Sequence, residues 1–507
     1  MTTTTLSSDG GGPESRHAEH EQHEEDGRPR DLGLVILWSE SEPHRVGEVA
    51  LATGTRDAAF VLGRGSGTSN SAMARLAFFR QRPGDAQPCP PLQSGHISRE
   101  QLALSPVEGG TALYVKNVGR CRLMRDGAEV RETRVRPGDL LELRGQLLLM
   151  CVRRFSWVGR GASSKEYTDF PFGESDAHGW VGESPEAWRM RQIVAFVAKR
   201  TGHVLIRGAS GTGKELVARA LHELSDRGKR ALVSRNAATF PEALIDAELF
   251  GNARNYPNSG MDARVGIIGE VDGSTLFLDE FAELRESMQS HFLRLLDGGE
   301  YTRLGEARPR KSDFRLIAAT NREESALKHD ILARFPFRIE LVGLHERRED
   351  VPLLVRQVLR RIRSSDPEAL ARFTREDGEV RVSASFIATL VRHAYSLHVR
   401  ELEALTWKAI LASTGERISL KQRGSGAGAD TKGESLVPER VREEEEGEGV
   451  GGGDGALALT AARIQACLDE NKGVIERAWR PLGLPSRHAL ARLIRKHGLE
   501  VRRPHGK

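Results

Sequence analysis

Short apolar runs separated by turn residues fill the first third of the chain. From Leu32 onward they read LGLVILW, AAFVLGRG, ISREQLAL, ALYVKNVG, CRLMRDGAEV, DLLELRG and QLLLMCVRR. Alternating apolar and polar positions, β-branched residues and frequent turn residues are typical of strands in an antiparallel sandwich. The pattern therefore predicts an all-β sandwich over residues 31–156.

The pattern changes in the middle of the chain, where strand-like and helix-like segments alternate. HVLIRGAS, STLFLDE and FRLIAATN read as buried strands with helical segments between them. Because parallel strands need crossover helices, this alternation predicts an α/β domain with a parallel sheet over residues 179–345. Residues 346–416 carry helical periodicity alone and predict a small α-helical subdomain.

Three segments hold too few apolar residues to form a core. We predict a disordered tail over residues 1–30 and a polar linker over residues 157–178. Residues 417–456 are rich in glycine and contain the acidic run REEEEGEG, which predicts a disordered linker. Residues 457–507 return to helical periodicity, so the chain is multidomain and ends in an all-α module.

Composition narrows the class of protein. A chain of 507 residues exceeds a single core and suggests about three units. Its scattered cysteines lack metal-ligand spacing, which favours a reducing compartment; they are Cys89, Cys121, Cys151 and Cys467. No run approaches the roughly 18 apolar residues of a membrane span, and the N-terminus lacks a signal-peptide core. We expect a cytoplasmic protein without a membrane partner.

The segment GASGTGKE follows an apolar strand and opens a helix, the context of a phosphate-binding loop. Glycines let backbone N–H groups surround phosphate oxygens at a helix N-terminus, and Lys214 adds a positive charge. Glu215 stands where a serine or threonine usually contacts magnesium. A glycine turn without a ligand is the alternative. The residues expected to bind ATP are Gly208, Ser210, Gly211, Thr212, Gly213, Lys214 and Glu215.

A second motif strengthens this interpretation. STLFLDE places Asp279 and Glu280 directly after an apolar strand. An aspartate at that position holds the Mg²⁺ shell, and the adjacent glutamate orients or deprotonates the attacking water. A strand that ends in two surface acids is the alternative, but the pair together with GASGTGKE favours ATP hydrolysis.

Six segments in order, GASGTGKE, RNAATFPEALIDAELFG, GSTLFLDEFAEL, FRLIAATN, LHERREDVPLL and VREL, together resemble the AAA+ domain of sigma-54-dependent transcription activators. The resemblance covers about 240 residues. It implies a P-loop ATPase domain with a helical lid, which assembles into a ring, expected to be a hexamer, with ATP between subunits. It also implies sigma-54 RNA polymerase as a partner.

The resemblance also assigns roles to individual residues. Asn236 resembles the residue that switches the catalytic glutamate, and Thr320 with Asn321 resembles the sensor at a strand end. Arg334 resembles the arginine finger offered to the neighbouring subunit, and Arg400 resembles the second sensor on the lid. A trans arginine stabilises charge on the transferred phosphoryl group, so hydrolysis would depend on assembly.

Three positions depart from the family pattern. Lys328 replaces a second arginine, and lysine lacks the planar fork of a guanidinium, so hydrolysis is expected to be slower. YSLH stands before VREL where the family has tryptophan, proline, glycine and asparagine. The sigma-factor contact loop, GAFTGA in the family, aligns with NYPNSG at residues 255–260, where Tyr256 is the candidate substitute for the phenylalanine.

The sandwich carries FVLGRG and HISREQL, which resemble a forkhead-associated (FHA) domain that recognises phosphothreonine. Arg64, Ser98 and Arg99 are the candidate phosphate ligands, since guanidinium and hydroxyl groups on adjacent loops make charge-assisted bonds. Gln101 replaces the expected histidine, and Cys121–Arg122 replaces an Asn-Gly pair. A sandwich kept for protein contacts, or for restraining the ATPase, is the alternative.

The C-terminal segment resembles a Fis-type helix-turn-helix, with a first helix from Leu459 to Glu470 and a third from Ser486 to His497. Residues 457–507 hold eleven Lys or Arg against four Asp or Glu, which suits contact with promoter or enhancer DNA. A basic tail with a solvated face is the alternative. The candidate DNA-binding residues are Ser486, Arg487, His488, Arg492, Arg495 and Lys496.

These observations predict an ATP-hydrolysing transcription regulator that binds double-stranded DNA and itself, with an FHA-like domain that senses a signal. Two alternatives stay open. One is a DNA-binding regulator that uses ATP as a conformational ligand without remodelling sigma-54 polymerase. The other is a phosphopeptide-binding adaptor with a vestigial ATPase.

Overall fold

The computed structural model describes residues 30–53, 58–65, 73–155, 169–241, 244–420, 461–470, 482 and 494. Contacts divide the chain into two units, Met1–Val437 and Pro438–Lys507. The predicted tail, both predicted linkers and nearly all of the predicted helix-turn-helix fall wholly or mostly outside the described residues. Among the described residues no helix is long and apolar enough to cross a membrane.

The N-terminal region is built from β-strands, as its apolar runs predict. An eight-stranded sheet of order β10-β9-β12-β13-β1-β2-β5-β6 faces a five-stranded sheet of order β11-β8-β7-β3-β4. The strands are β1 (Arg30–Ser39), β2 (Val49–Leu51), β3 (Phe60–Leu62), β4 (Ala74–Arg75), β5 (Phe79–Arg82), β6 (Asp85–Pro88), β7 (Leu102–Val107), β8 (Ala112–Asn117), β9 (Leu123–Arg125), β10 (Ala128–Val130), β11 (Glu132–Val135), β12 (Leu140–Leu143) and β13 (Leu147–Phe155).

The central region is a parallel α/β sheet of order β15-β16-β19-β14-β20. Its strands are β14 (Val204–Arg207), β15 (Leu232–Asn236), β16 (Thr275–Asp279), β19 (Arg315–Thr320) and β20 (Phe337–Glu340), and a hairpin pairs β17 (Glu300–Tyr301) with β18 (Arg310–Lys311). Its helices are α1 (Pro185–Ala198), α2 (Lys214–Glu223), α3 (Ile245–Phe250), α4 (Ile267–Glu270), α5 (Glu286–Gly298) and α6 (His329–Leu332). The parallel sheet is confirmed, and its strands end on one edge.

A helical subdomain follows the sheet, as predicted. It consists of α7 (Val351–Ser365), α8 (Pro367–Leu370), α9 (Ala384–Arg392) and α10 (His398–Ala412), and we call it the lid. Two of these helices begin at side-chain caps, because Asp366 accepts from the Ala369 amide and Ser383 accepts from the Phe386 amide. Beyond the gap, α11 (Ala461–Glu470) forms where the first helix of the C-terminal module was predicted.

The sandwich and the lid share one hydrophobic core. Along β1, Leu34 and Ile36 face the other sheet, whereas Val35 and Leu37 pack with residues of α7 and α9. A register shift after Ile36 places Trp38 on the lid side as well. Both faces of the strand are buried, which explains why LGLVILW is a continuous apolar run rather than an alternating one.

Polar contacts reinforce this joint. The Trp38 indole N–H donates to the Val382 carbonyl at 3.0 Å. The Arg154 guanidinium donates to the Glu349 carboxylate at 2.6 Å, with both side chains less than 10% exposed. Because buried charges are costly unless paired, these contacts favour one specific docking geometry of sandwich on lid.

Candidate functional site

The phosphate loop lies between β14 and α2, on the edge where the parallel strands end. Gly211 and Gly213 have φ angles of +81° and +103°, a region that disfavours residues with a Cβ. A Cβ on Gly211 would lie 2.1 Å from the Leu397 carbonyl oxygen, so this glycine also admits the lid backbone. The loop therefore needs glycine for its own curvature and for its contact with the lid.

The Lys214 side chain is held inside this loop. It is 7% exposed, and its Nζ donates to the carbonyls of Gly208 and Ala209 at 3.0 and 3.4 Å. Thr212 closes the turn by donating its hydroxyl to the Ala209 carbonyl at 2.8 Å. Glu215 is exposed and pairs with Arg219 one helical turn on. The ammonium therefore has only neutral acceptors in these bonds and faces a cleft that suits phosphate oxygens.

Asp279 and Glu280 line the same cleft as the phosphate loop. The Glu280 amide donates to Asp279 Oδ1 at 2.9 Å, and Glu280 adopts a left-handed φ of +52°. Burial and then the negative charge of Asp279 raise the pKa of Glu280, against the effect of the nearby Lys214 ammonium. A carboxylate with a raised pKa in a cleft is a candidate general base.

The predicted sensors lie around this cleft rather than in it. Asn236 is exposed and pairs in register with Asp279, but its Oδ1 accepts from the Ala238 amide at 2.9 Å. The Thr320 carbonyl accepts from the Gly208 amide at 3.2 Å and so joins β19 to the phosphate loop. Asn321 follows at the strand end and is exposed. None of these three lines the cleft.

The lid reaches the phosphate loop through the first turn of α10. The Val399 amide donates to the Gly211 carbonyl at 3.2 Å, and Arg400 Nη1 donates to Ser210 Oγ at 2.9 Å. Sequence reasoning placed Arg400 near the nucleotide, and the structure brings it to the loop. A cation at this position can contact phosphate oxygens in place of the serine hydroxyl.

Arg347 and Trp180 line the cleft but were not among the predicted site residues. Arg347 is 3% exposed, its guanidinium lies 5.4 Å from the Trp180 ring centroid, and its Nε and Nη1 have no hydrogen-bond partner among the described residues. Burial lowers its pKa. Buried N–H groups are normally satisfied, so unsatisfied ones in a cleft fit a ligand that brings acceptors. Its place in LHERRED was the available signal.

Arg334 lies outside this cleft. Its guanidinium binds both carboxylate oxygens of Asp297 on the protein surface, and this hydrogen bonding lowers the pKa of Asp297. A residue that serves a neighbouring subunit is expected to be exposed and distant from its own nucleotide. An exposed arginine that only forms a surface ion pair, with no role in hydrolysis, would have the same contacts.

The loop at residues 255–260, which was predicted to replace GAFTGA, is anchored at its base. Asn252 is 1% exposed, and its Nδ2 lies within 3.2 Å of the carbonyls of Ala253, Tyr256 and Asp262. The Tyr256 ring lies over Gly305, where a Cβ would be 2.6 Å from the ring. Tyr256 is 42% exposed. Its ring therefore rests on the domain instead of forming a free aromatic tip.

The candidate phosphopeptide residues cluster on the sandwich. The Arg64 amide donates to the Ser98 carbonyl at 3.0 Å, and Arg99 is exposed. Gln101, in place of the expected histidine, is fully buried; its Oε1 accepts from the Ser98 amide and its Nε2 donates to Asn117 Oδ1 at 2.7 Å. The glutamine therefore fixes the Ser98 loop, and Asn117 is a member of this network that sequence reasoning missed.

The predicted ligands of DNA and of a metal ion complete the set of candidate residues. The six candidate DNA-binding residues, Ser486, Arg487, His488, Arg492, Arg495 and Lys496, lie outside the described residues. Within the described residues no three His, Cys, Asp or Glu side chains form a group able to hold a metal ion. Asp279 would be the carboxylate ligand of a Mg²⁺ ion placed beside the phosphates of a nucleotide.

Comparison with known proteins relates the central region of the chain to one family of domains. Residues 180–345 match the family model of the sigma-54 interaction domain. The Nif-specific regulatory protein of Bradyrhizobium diazoefficiens is 37% identical over 268 residues, covering 52% of this chain and 44% of that protein. The transcriptional regulatory protein ZraR of Salmonella typhimurium is 36% identical over 261 residues, covering 50% and 57%.

The chain therefore spans about half the length of the curated relatives it matches. A crystal structure of NtrX from Brucella abortus in complex with ADP is 25% identical, with a TM-score of 0.43, over 64% of this chain and 70% of that chain. The family match and the relatives support a relationship of the central region to the AAA+ domain of sigma-54-dependent transcription regulators.

Proposed function

We propose that this protein hydrolyses ATP in a ring of identical subunits and uses the cycle to regulate transcription by sigma-54 RNA polymerase. The observation that carries the proposal is the cleft in which Lys214, the Asp279–Glu280 pair and the lid residue Arg400 converge. The family match over residues 180–345 supports the same assignment.

In this proposal the chain's own residues bind the triphosphate, orient the attacking water and stabilise the charge that develops. The phosphate loop and Lys214 bind the phosphate oxygens, and Asp279 would hold a Mg²⁺ ion, which would supply positive charge to the phosphates. Glu280 accepts a proton from the water that attacks the γ-phosphorus, and ADP is the leaving group. Arg334 of the neighbouring subunit stabilises the charge that develops on the transferred phosphoryl group.

A mixing experiment tests the shared site. Turnover by Arg334→Ala alone and by Glu280→Gln alone is expected to be low, because each homogeneous ring lacks one half of every site. Mixing the two variants creates sites with Glu280 from one subunit and Arg334 from the next, so phosphate release is expected to rise above both. Arg338→Ala, which removes a surface arginine paired with Glu324, is the matched control and should keep its turnover.

No gain on mixing, together with turnover per subunit that is independent of protein concentration, would exclude a shared site.

An assay with purified protein, ATP, sigma-54 holoenzyme and a sigma-54 promoter tests whether the protein activates transcription. Open complexes are expected only with hydrolysable ATP.

The anchored loop favours a second candidate function. Because Tyr256 rests on Gly305 and Asn252 holds the loop base, the family's aromatic contact tip is replaced. A loop without a free aromatic tip suits a regulator that binds nucleotide and DNA without remodelling sigma-54 polymerase. Normal turnover without open complexes in the same assay would favour it.

We also propose that the sandwich binds a phosphothreonine-containing protein through Arg64, Ser98 and Arg99, and that residues 457–507 bind double-stranded DNA. The Arg64 Nε atom is buried without a hydrogen-bond partner among the described residues, which suits an anionic ligand beside Ser98. We expect the protein to bind a phosphothreonine peptide but not its unphosphorylated form, and we expect Ser98→Ala to weaken this binding.

For residues 457–507, we expect the affinity of the protein for double-stranded DNA to fall steeply as the salt concentration rises.

A further inference from the structure

A cleft distinct from the nucleotide site lies at the joint between sandwich and lid. On one side are the end of β1 and the turn after it, including Trp38 and Glu40; on the other are α7 and residues 375–382. The space between its atoms is about 820 Å³, part of it open to solvent, and only a small part of it is wide enough to admit a water molecule. The cleft is therefore narrow and suits a slender molecule.

Its lining is apolar at the floor and cationic at the rim. Leu37, Trp38, Val355, Leu359 and Ile387 supply apolar surface. Six guanidinium groups line the same space against only two carboxylates, those of Glu40 and Glu379; the arginines are Arg356, Arg360, Arg363, Arg375, Arg381 and Arg417. Buried apolar surface with a few convergent charged groups is typical of small-molecule sites.

Carboxylates inside and outside the cleft only partly neutralise this rim. Glu40 accepts from Arg417, and Glu174, Asp377 and Glu416 pair with other rim arginines from outside the lining. Glu174 also lies near Arg356, and Glu379 pairs with Arg360. Five carboxylates thus accompany six arginines, which leaves an excess of one positive charge; Arg363, whose guanidinium donates to the Gly378 carbonyl, is the rim arginine without a carboxylate partner among the described residues. Burial lowers the pKa of Arg356, whose guanidinium donates to the Gly173 carbonyl and lies 3.8 Å from the Glu174 carboxylate.

Helix α7 stands between this cleft and the nucleotide cleft. Residues that line the joint cleft recur at spacings of three and four along one face of the helix: Pro352, Val355, Arg356, Leu359, Arg360 and Arg363. Residues that line the nucleotide cleft recur in the same way along another face: Leu354, Gln357, Val358 and Arg361. A displacement of this one helix therefore changes both clefts.

We propose that the cleft between sandwich and lid binds an organic anion with a slender apolar body, and that its binding is coupled through α7 to the nucleotide site. The carboxylate of such a ligand meets the arginine rim, and its chain lies against Trp38 and Leu359. The coupling is reciprocal, so the anion and the nucleotide change each other's affinity by the same factor.

Calorimetry on the full chain with decanoate as the probe tests the binding. Decanoate is expected to bind one site, whereas decan-1-ol and decyltrimethylammonium, which carry the same chain without the negative charge, bind at least tenfold more weakly. Equal binding of all three would overturn the proposal, because the arginine rim would then contribute nothing. Absence of decanoate binding at millimolar concentration would overturn it as well.

Two variants locate the site. Arg363→Gln combined with Arg381→Gln removes two rim charges that contact the Gly378 carbonyl and Glu416 on the lid side, so the joint keeps its contacts. This variant is expected to weaken decanoate binding at least tenfold. Val380→Trp fills the cleft from a partly exposed position and is expected to abolish binding. Arg348→Gln, an exposed lid-side arginine outside both clefts, is the matched control and should bind within twofold of the parent.

A separate measurement tests the coupling between the joint cleft and the nucleotide cleft. ADP affinity is measured with and without saturating decanoate, and a change of threefold or more that vanishes in Val380→Trp supports it. An ADP affinity unchanged by bound decanoate would overturn the coupling. Because decanoate binding is measured without nucleotide, its outcome does not depend on whether the protein hydrolyses ATP.

Discussion

At the scale of single residues, the two adjacent acids of the cleft have different environments. Asp279 ends β16 and accepts from the next amide, whereas Glu280 sits in a left-handed turn where burial and its neighbour's charge raise its pKa. The raised pKa makes Glu280 accept a proton more readily than an ordinary glutamate. The roles proposed for them follow from this contrast.

Two substitutions separate nucleotide binding from turnover. Glu280→Gln is expected to bind ADP within about threefold of the parent and to lower turnover about 100-fold or more, because only proton transfer is removed. Lys214→Ala is expected to weaken ADP binding about tenfold or more, since a hydrogen bond to a charged group contributes about 1.5–3 kcal/mol. Fluorescent ADP titration and phosphate release measure both. Unchanged turnover in Glu280→Gln would refute the role of that carboxylate.

The pH dependence of turnover reports the environment of Glu280. A base must be ionised, so its raised pKa predicts that turnover falls on acidification at a pH above the ordinary glutamate value of about 4.3. The neighbouring Arg322 and Glu283 act in opposite directions on this pKa. Arg322→Gln should therefore move the acidic limb to higher pH and Glu283→Gln to lower pH. Equal shifts in one direction would contradict the assignment.

At the scale of elements, the start of α10 decides how the lid meets the phosphate loop. The Glu401 carboxylate accepts from the amides of Ser396 and Leu397 at 2.7 and 3.0 Å and contacts the His393 ring at 2.8 Å. Burial favours its protonated form, but the hydrogen bonds from His393 and these amides lower the pKa of Glu401 to about 2. The carboxylate thus fixes the turn that precedes Arg400.

The lid is expected to lose stability when this carboxylate is removed. Glu401→Gln should lower the free energy of unfolding by about 1–3 kcal/mol at pH 7. The folded pKa lies below the unfolded value of about 4.3, so the contribution is complete above that pH and is lost as pH falls through about 2. Urea unfolding should therefore show a difference that is constant above pH 5 and shrinks below pH 4. The exposed Glu416→Gln serves as control, and a difference that grows on acidification would contradict the linkage.

At the scale of the whole molecule, the sandwich is not an appended domain but part of the lid's core. Strand β1 buries alternate residues against different partners, and β13 does the same with Leu149 inward and Met150 toward the lid. A change in the packing of the sandwich is therefore expected to alter the packing of the lid.

Two leucines on opposite faces of β1 test this shared core. Leu37→Ala and Leu34→Ala each remove a fully buried side chain and are expected to cost about 2–5 kcal/mol of local stability. Only Leu37 faces the lid, so Leu37→Ala alone should accelerate amide exchange in α7. Hydrogen exchange of the full chain measures this difference. Equal protection of α7 in both variants would show that sandwich and lid are energetically independent.

The sequence by itself determined much of the central α/β region. The phosphate loop, the acids at the end of β16 and the strand-helix alternation depend on short segments whose neighbours along the chain supply their structural context. Such local patterns specify secondary structure and the edge of the sheet where side chains collect. They therefore placed Lys214, Asp279 and Glu280 correctly in one cleft.

Only the tertiary structure decided which surfaces meet. No local pattern shows that Arg347 is buried beside Trp180, that Arg400 reaches Ser210, or that the outer face of the sandwich lies on the lid. The apolar run of β1 predicted a strand of the sandwich but did not show that its outer face packs on the lid. Burial depends on which distant elements pack together, and that choice is made by the whole chain because apolar area, not sequence position, sets the free energy of packing.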